Sequence, residues 1–509
     1  MKRLALPLIA LLLTTGASSD SKLSDHQRAV HVLNRLAFGP RPGDVDQVLK
    51  NGVDVWIDQQ LHPDAIPDRA VEARLQNMPT LKLSNGTIMD TYYKPLVQAR
   101  RARKAEAGEA PATTPEMMAA RQKGREVVED LVAQRIIRAA ESDRQLNEVM
   151  VDFWFNHFNV FIGKGPDRFM ITSYERDAIR PRIWGRFEDL LSATAKSPAM
   201  LFYLDNARSR AGALNENYAR EIMELHTLGV DAGYTQKDVT ELARVFTGWT
   251  IEQRSGTFVF RPRLHDSGEK TVLGVHFRAG GGIEEGQRMI HILAQHPATA
   301  HHIALQLCQR LVSDDPPKAL VDRVAKKFLA TDGDLRETER AIIDSPEFWD
   351  PKQYRAKVKS PFEYVISAVR AVNATVDNPL PIARALQQIG EPLYGAQPPT
   401  GYSDRADVWI NTGALMNRLN FALALAANKL PGVHSDVVSI IPASEAADAA
   451  HSVDALAVAL IGGDLSAPTR ATIKSRIVER KAPTEDPRDN TQLPMIAGLI
   501  LGSPEFQRQ

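Results

Sequence analysis

The sequence predicts a mainly α protein, a large multi-helix globular array with one small β-hairpin insertion, and three observations carry that expectation. Apolar residues recur at helical spacing through most of the chain, helix-start and helix-stop signals bracket those runs, and only one stretch alternates as strands do. The chain has 509 residues, with 43% hydrophobic and 24% charged side chains, as in ordinary globular proteins rather than disordered ones. Lys plus Arg and Asp plus Glu both total 62, so there is no net field to gather nucleic acid, and a basic nucleic-acid binder is disfavoured. A lone cysteine, Cys308, excludes an internal disulfide, a Cys-based zinc site and covalently attached c-type haem. It shares an apolar stripe with Ala304, Leu307 and Leu311 and reads as a packed thiol.

From the amino terminus, Lys2 and Arg3 precede an apolar run from Leu4 to Leu13, then small residues at Ala17, Ser18 and Ser19. About ten apolar residues are too few to span a bilayer, which takes roughly twenty, so 1–19 reads as a secretory signal peptide and the protein as periplasmic or secreted after cleavage. No later apolar run is long enough for a membrane span. Residues 20–430 are expected to form the main helical domain. A smaller helical part, 431–509, follows a boundary near Pro431-Gly432 and packs on it.

Helix starts come next. Ser24 with Gln27 and Thr235 with Asp238 have the spacing of capping boxes. Four Ser-Pro pairs, Ser197-Pro198, Ser345-Pro346, Ser360-Pro361 and Ser503-Pro504, place a capping hydroxyl before a proline suited to the first helical position. Two of them lie in an internal echo, Ile342 to Phe348 against Ile500 to Phe506. The stretch near 104–116, rich in Ala, Pro and Thr, reads as a mobile loop, with a charged helix following from about Glu116 to Ser142. Near 256–277, Thr257 to Phe260, a polar turn at His265 to Gly268, and Thr271 to Leu273 read as a β-hairpin.

The candidate site lies on two central helices. In Asn147 to Gly163, a rotation of about 100° per residue puts Met150, Phe153, Trp154, His157 and Phe161 on one face and Asp152, Asn156 and Asn159 on another. His157 faces the apolar side, either as a core histidine bonded to a carbonyl or carboxylate or as a functional group. In Leu214 to Gly229, Leu214, Tyr218, Ile222, Leu225 and Leu228 form an apolar stripe with Glu221 inside it and His226 at its edge. A buried carboxylate needs an arginine, a histidine, a metal or a raised pKa. Glu216 faces outward, Arg220 and Glu224 have ion-pair spacing, and His265-Asp266 marks the hairpin turn. His301 and His302 read as surface groups. His157, Glu221 and His226 are therefore the catalytic candidates, with Glu216, Glu224, His265 and Asp266 beside them and a divalent metal as a candidate cofactor. Phosphate-binding loops, the Gly-x-Ser-x-Gly elbow of the mature chain, His-Glu-x-x-His and the di-iron Glu-x-x-His pattern are all missing.

His31 to Val45, Phe153 to Phe158, Glu216 to Thr250 and Arg263 to Gly274 together resemble the large bacterial family catalogued as domain of unknown function 1800. The likeness runs from about Ser24 to beyond Asn420, with Gly401-Tyr402 where the family usually shows Gly-Trp. The resemblance implies an exported, mainly helical protein without a settled activity, often encoded beside an exported sulfatase-like protein that becomes a candidate partner. The family motif includes positions equivalent to His157, Glu216, Glu221, His226 and His265, without assigning them roles. Two readings follow. One is an envelope enzyme, hydrolytic or metal-assisted, with its site between the His157 and Glu221 helices and the hairpin as lid. The other is a non-enzymatic scaffold for another exported protein, which calls for an exposed apolar patch rather than a closed polar cavity.

Overall fold

Local capping chemistry and apolar periodicity build a mainly α structure in the computed structural model, with helix at 62% and strand at 5%. It describes residues 22–105, 114–252, 254–446, 448–479 and 492–509. The leader and the centre of the 104–116 loop lie outside the described residues. Among the described residues no helix is long and apolar enough to cross a membrane.

Helix starts follow the expected chemistry where the chain beyond them can stay helical. Ser24 and Gln27 exchange both capping-box hydrogen bonds at the start of Asp25–Arg35, as do Thr235 and Asp238 before Gln236–Val245. Ser360 and Glu363 make a further box before Pro361–Ala371, and Pro198 opens Pro198–Tyr203. The charged helix after the loop runs Pro115–Glu141, capped by Thr114. Ser345-Pro346 and Ser503-Pro504 correct the helix-start expectation, since each makes only a turn. The Ser345 and Ser503 hydroxyls accept from the Phe348 and Phe506 amides at 3.2 and 3.3 Å, and both rings are buried. After the first turn Asp350 precedes Pro351, which disfavours helix there. After the second, Gln507 to Gln509 exchanges backbone hydrogen bonds with Lys357 and Lys359.

The sheet content differs from the expected pairing. β1 (Trp249–Glu252) pairs with β2 (Thr257–Phe260), β3 (Lys270–Val272) pairs with β4 (Val275–Phe277), and β5 (Thr375–Val376) pairs with β6 (Val433–His434), all antiparallel. The Thr257 to Phe260 run therefore does not join Thr271 to Leu273. Leu273 and Gly274 both have positive φ, +49° and +76°, which makes a two-residue turn that sends Val272 back against Val275.

One large core runs from Ala29 in the first described helix to Phe506 near the carboxyl end. The helices Ala449–Ile461 and Gln492–Leu501 bury Leu456, Ile496 and Ile500 in that same core. A separate cluster of Ile88, Tyr92, Leu96, Val127 and Phe169 fastens the Lys94–Ala105 helix to Pro115–Glu141.

Candidate functional site

The first central helix is shorter than its apolar run, Gln145–His157, and it keeps the two faces read from its sequence. Met150, Phe153, Trp154 and His157 are buried, while Phe161 lies beyond the helix end. The polar face stitches down the segment 391–405. Asn156 accepts from the Tyr402 amide at 2.7 Å and donates to the Tyr402 carbonyl at 2.8 Å, and Asn159 donates to the carbonyls of Ala396 and Pro398. Gly401 is required at this junction. Its φ is +69°, and a Cβ there would stand 2.5 Å from the Asn156 carbonyl oxygen.

His157 is a core histidine. Its Nδ1 lies 2.7 Å from the Gln306 carboxamide, and its Nε2 donates to the His226 carbonyl at 3.2 Å. Burial drives its pKa down to about 3. Its ring centroid stands 6.1 Å from that of His226 and 6.3 Å from that of His302. His226 is buried with pKa well below the usual value, from burial and then from His157. His302, contrary to the surface reading, packs inward with Nε2 on the Leu225 carbonyl at 3.1 Å, whereas His301 is exposed near Asp322.

The second central helix is also shorter, Asn217–Glu224. Leu214 precedes it and is exposed, and residues 225–228 turn away toward Gly229 at φ +86°. That departure frees the carbonyls of Leu225 and His226 to receive the two imidazoles. Among the described residues no hydrogen bond joins the Glu221 carboxylate to either candidate histidine, although the His226 amide donates to the Glu221 carbonyl at 3.1 Å. Glu221 is half-buried with a raised pKa, from burial first and then from Glu224, with Arg220 opposing. Arg220 pairs with Glu216 at 3.6 Å rather than with Glu224. Glu216 also accepts from Gln236 and Thr240 at 2.7 Å each, and Glu224 meets the Tyr234 hydroxyl at 3.5 Å.

A second polar cluster gathers around Lys164. Asp167, in the turn Gly165–Phe169, is wholly buried, neither carboxyl oxygen has a hydrogen-bond partner, and burial lifts its pKa to about 9. Lys164, the largest opposing charge on it, pairs with Asp205 at 2.8 Å and donates to the Tyr203 carbonyl. Tyr203 donates its hydroxyl to the Gln397 carbonyl at 2.7 Å; its pKa is raised by burial, then by Asp167 and Glu221.

His265 and Asp266 are structural ties. His265 is buried, with Nδ1 donating to the Thr247 carbonyl at 2.8 Å and Nε2 3.2 Å from Glu285, which also pairs with Lys270 at 2.8 Å. Asp266 receives two hydrogen bonds from Arg244, at 2.9 and 3.0 Å, and these bring its pKa down to about 2. Glu241 and Asp238 accept from the Thr271 and Leu273 amides, fastening β3 and the turn after it to Gln236–Val245.

Sequence reasoning missed Asp167, Arg135, Arg310 and Glu391. Arg310 pairs with Asp152, Glu363 and Asp404 at 3.1–3.2 Å, and Arg135 reaches Asp152 and Glu175. These arginines, Glu391, Tyr394 and Tyr402 line a cavity of about 40 Å³, room for a few waters. Glu391 is lifted to about 8 by burial and then by Asp152. The one sequence signal for this cavity was the Asp152, Asn156 and Asn159 face; its other walls come from distant segments.

Among the described residues no group of three or more His, Cys, Asp or Glu side chains is arranged to hold a metal ion. His157 already commits both ring nitrogens, Nδ1 to Gln306 and Nε2 to the His226 carbonyl.

Helix layers around a buried, incompletely paired polar cluster define a mainly α protein with a carboxyl-rich interior. The chain belongs to the protein family of unknown function DUF1800, whose sequence profile matches residues 31–508. No curated protein and no solved structure matches it.

Proposed function

We propose that the chain is an exported enzyme of the acid–base, hydrolytic class, with its centre at Glu221, Tyr203 and Asp167. The observation that carries the reading is Asp167, a buried carboxyl with two unpaired oxygens and a pKa near 9. Folding gains nothing from such a group, because an asparagine of the same shape would avoid the ionisation penalty. Neutral Asp167 supplies the acid, and half-buried Glu221 supplies the base; carboxyls held at different pKa values are how acid and base roles are divided. His157 and His226 then act as fixed supports rather than proton carriers. The Lys2 to Ser19 segment supports export.

Hydrolysis of 4-nitrophenyl esters, phosphates, sulfates and glycosides by the mature protein tests this, alongside the Glu221→Gln and Asp167→Asn variants. The expected result is turnover of one class, reduced by about a hundredfold or more in both variants, with melting temperature unchanged or raised. Turnover by neither wild type nor variants, or equal turnover by all three, overturns it.

One observation favours the scaffold reading. Val408, Ile410, Leu415 and Met416 are exposed apolar residues within nine positions of one another. A docking role for another exported, sulfatase-like protein predicts that such a protein co-purifies and is lost with the Ile410→Glu, Met416→Glu double variant.

A further inference from the structure

A groove of about 660 Å³ lies between the Met89–Ala105 segment and β1, and its wall includes Pro166 and Phe202, the chain neighbours of Asp167 and Tyr203. That segment has two working faces. Ile88, Tyr92 and Leu96 pack onto Val127 and Phe169, while Met89, Tyr93, Val97 and Arg101, one step around at four-residue spacing, line the groove. It begins with a π-helical turn, Met89–Tyr93, a distortion that recurs at functional sites. The opposite walls are Met170, Phe202 and Ile251. The volume falls in the ligand-site range of roughly 300–1,000 Å³, and two unbranched methionines suit a pliable apolar body rather than a rigid polar one.

Charge completes the description. Lys94 is paired with Asp90, and the groove's Glu252 is paired with Arg261 at 3.3 Å. Arg101 borders the groove and pairs with no carboxylate among the described residues. We propose that this groove binds a single-chain amphiphile, an acyl chain with an anionic head. The chain lies against Val97, Met170, Phe202 and Ile251, and the head meets Arg101, where a guanidinium can take two oxygens at once.

Calorimetric titration of the full mature protein with dodecanoate, dodecyl phosphate and dodecanol, all below their micellar concentrations, tests the assignment. Wild type is expected to take up one equivalent of an anionic probe saturably, with dodecanol about tenfold weaker. Arg101→Glu should weaken the anionic probes by about tenfold or more but leave dodecanol unchanged. Val97→Trp, which fills the groove, should weaken all three while the melting temperature holds. Preference for dodecanoate or for dodecyl phosphate assigns the head as carboxylate or phosphate. Absence of saturable binding by wild type, or unaltered binding in both variants, overturns the proposal. So does sedimentation with phosphatidylglycerol vesicles when no monomeric probe binds, since that marks a membrane surface instead. Asp167→Asn should bind like wild type, so failure here is separable from failure of the hydrolytic reading.

Discussion

The imidazoles around His157 and the carboxyls around Tyr203 arise from neighbouring stretches of chain, yet His157 and His302 are hydrogen-bonded where Asp167 is not, and His226 stands between the two cases because its buried Nε2 has no partner among the described residues. His157 and His302 each spend a ring nitrogen on a backbone carbonyl that the end of the Glu221 helix has released. The carboxyls show the reverse. Asp167 has no partner at either oxygen, and Glu221 is raised by burial and by a like charge. A satisfied buried polar group secures a fold, whereas an unsatisfied one is a stability penalty that persists where another constraint keeps it.

The largest expected loss of stability comes from breaking the satisfied region. His157→Ala removes both hydrogen bonds and opens a cavity, and should lower unfolding free energy by about 3 kcal/mol in urea titrations. A loss below about 1 kcal/mol would remove His157 from the supporting framework. The opposite sign is expected from Asp167→Asn. The group titrates near 3.8 when unfolded and about 9 when folded, so the native state holds the extra proton between those values. The contribution of Asp167 to stability should be fullest below about pH 4 and be lost as pH rises toward 9, with a slope approaching about 1.4 kcal/mol per pH unit. Asp167→Asn should flatten that slope and be more stable at pH 7 by up to about 4 kcal/mol; thermal melts across pH 4–9 would show it.

Asp266 sharpens the comparison from the satisfied side. Its pKa is held near 2 by Arg244, so its contribution is present above about pH 4 and is lost as pH falls through 2. Asp266→Asn should cost about 1–2 kcal/mol at pH 7 and little near pH 2, read by denaturant titration at both. The smallest effect is expected at the paired turns, where Ser345→Ala and Ser503→Ala each remove one cap worth about 0.5–1 kcal/mol. Equal shifts in melting temperature would mark the two echoing segments as equivalent closures.

Much of the fold was legible because it is local. Both expected capping boxes formed, since a hydroxyl and an amide three residues apart meet locally, and two of the four Ser-Pro pairs opened helices, Ser360 with its hydroxyl cap and Ser197 without one. The strand pairing was misread because Leu273, an apolar residue of strand-like appearance, adopts the left-handed conformation of a turn. Extending the Glu221 helix through His226 was also a periodicity error, as the apolar spacing continues where the backbone does not.

Sequence alone determined that the chain is helical, where many helices begin, that Glu221 would need a partner or a raised pKa, and that Asp152, Asn156 and Asn159 share a face. Those outcomes depend on residues within a few positions of one another. Tertiary structure decided which of the listed needs of Glu221 was met, that Asp167 is sealed without a partner, and that Asn156 meets Tyr402 across 246 positions. Burial and charge are properties of what surrounds a group in space, and distant segments supply those surroundings only once the chain has packed.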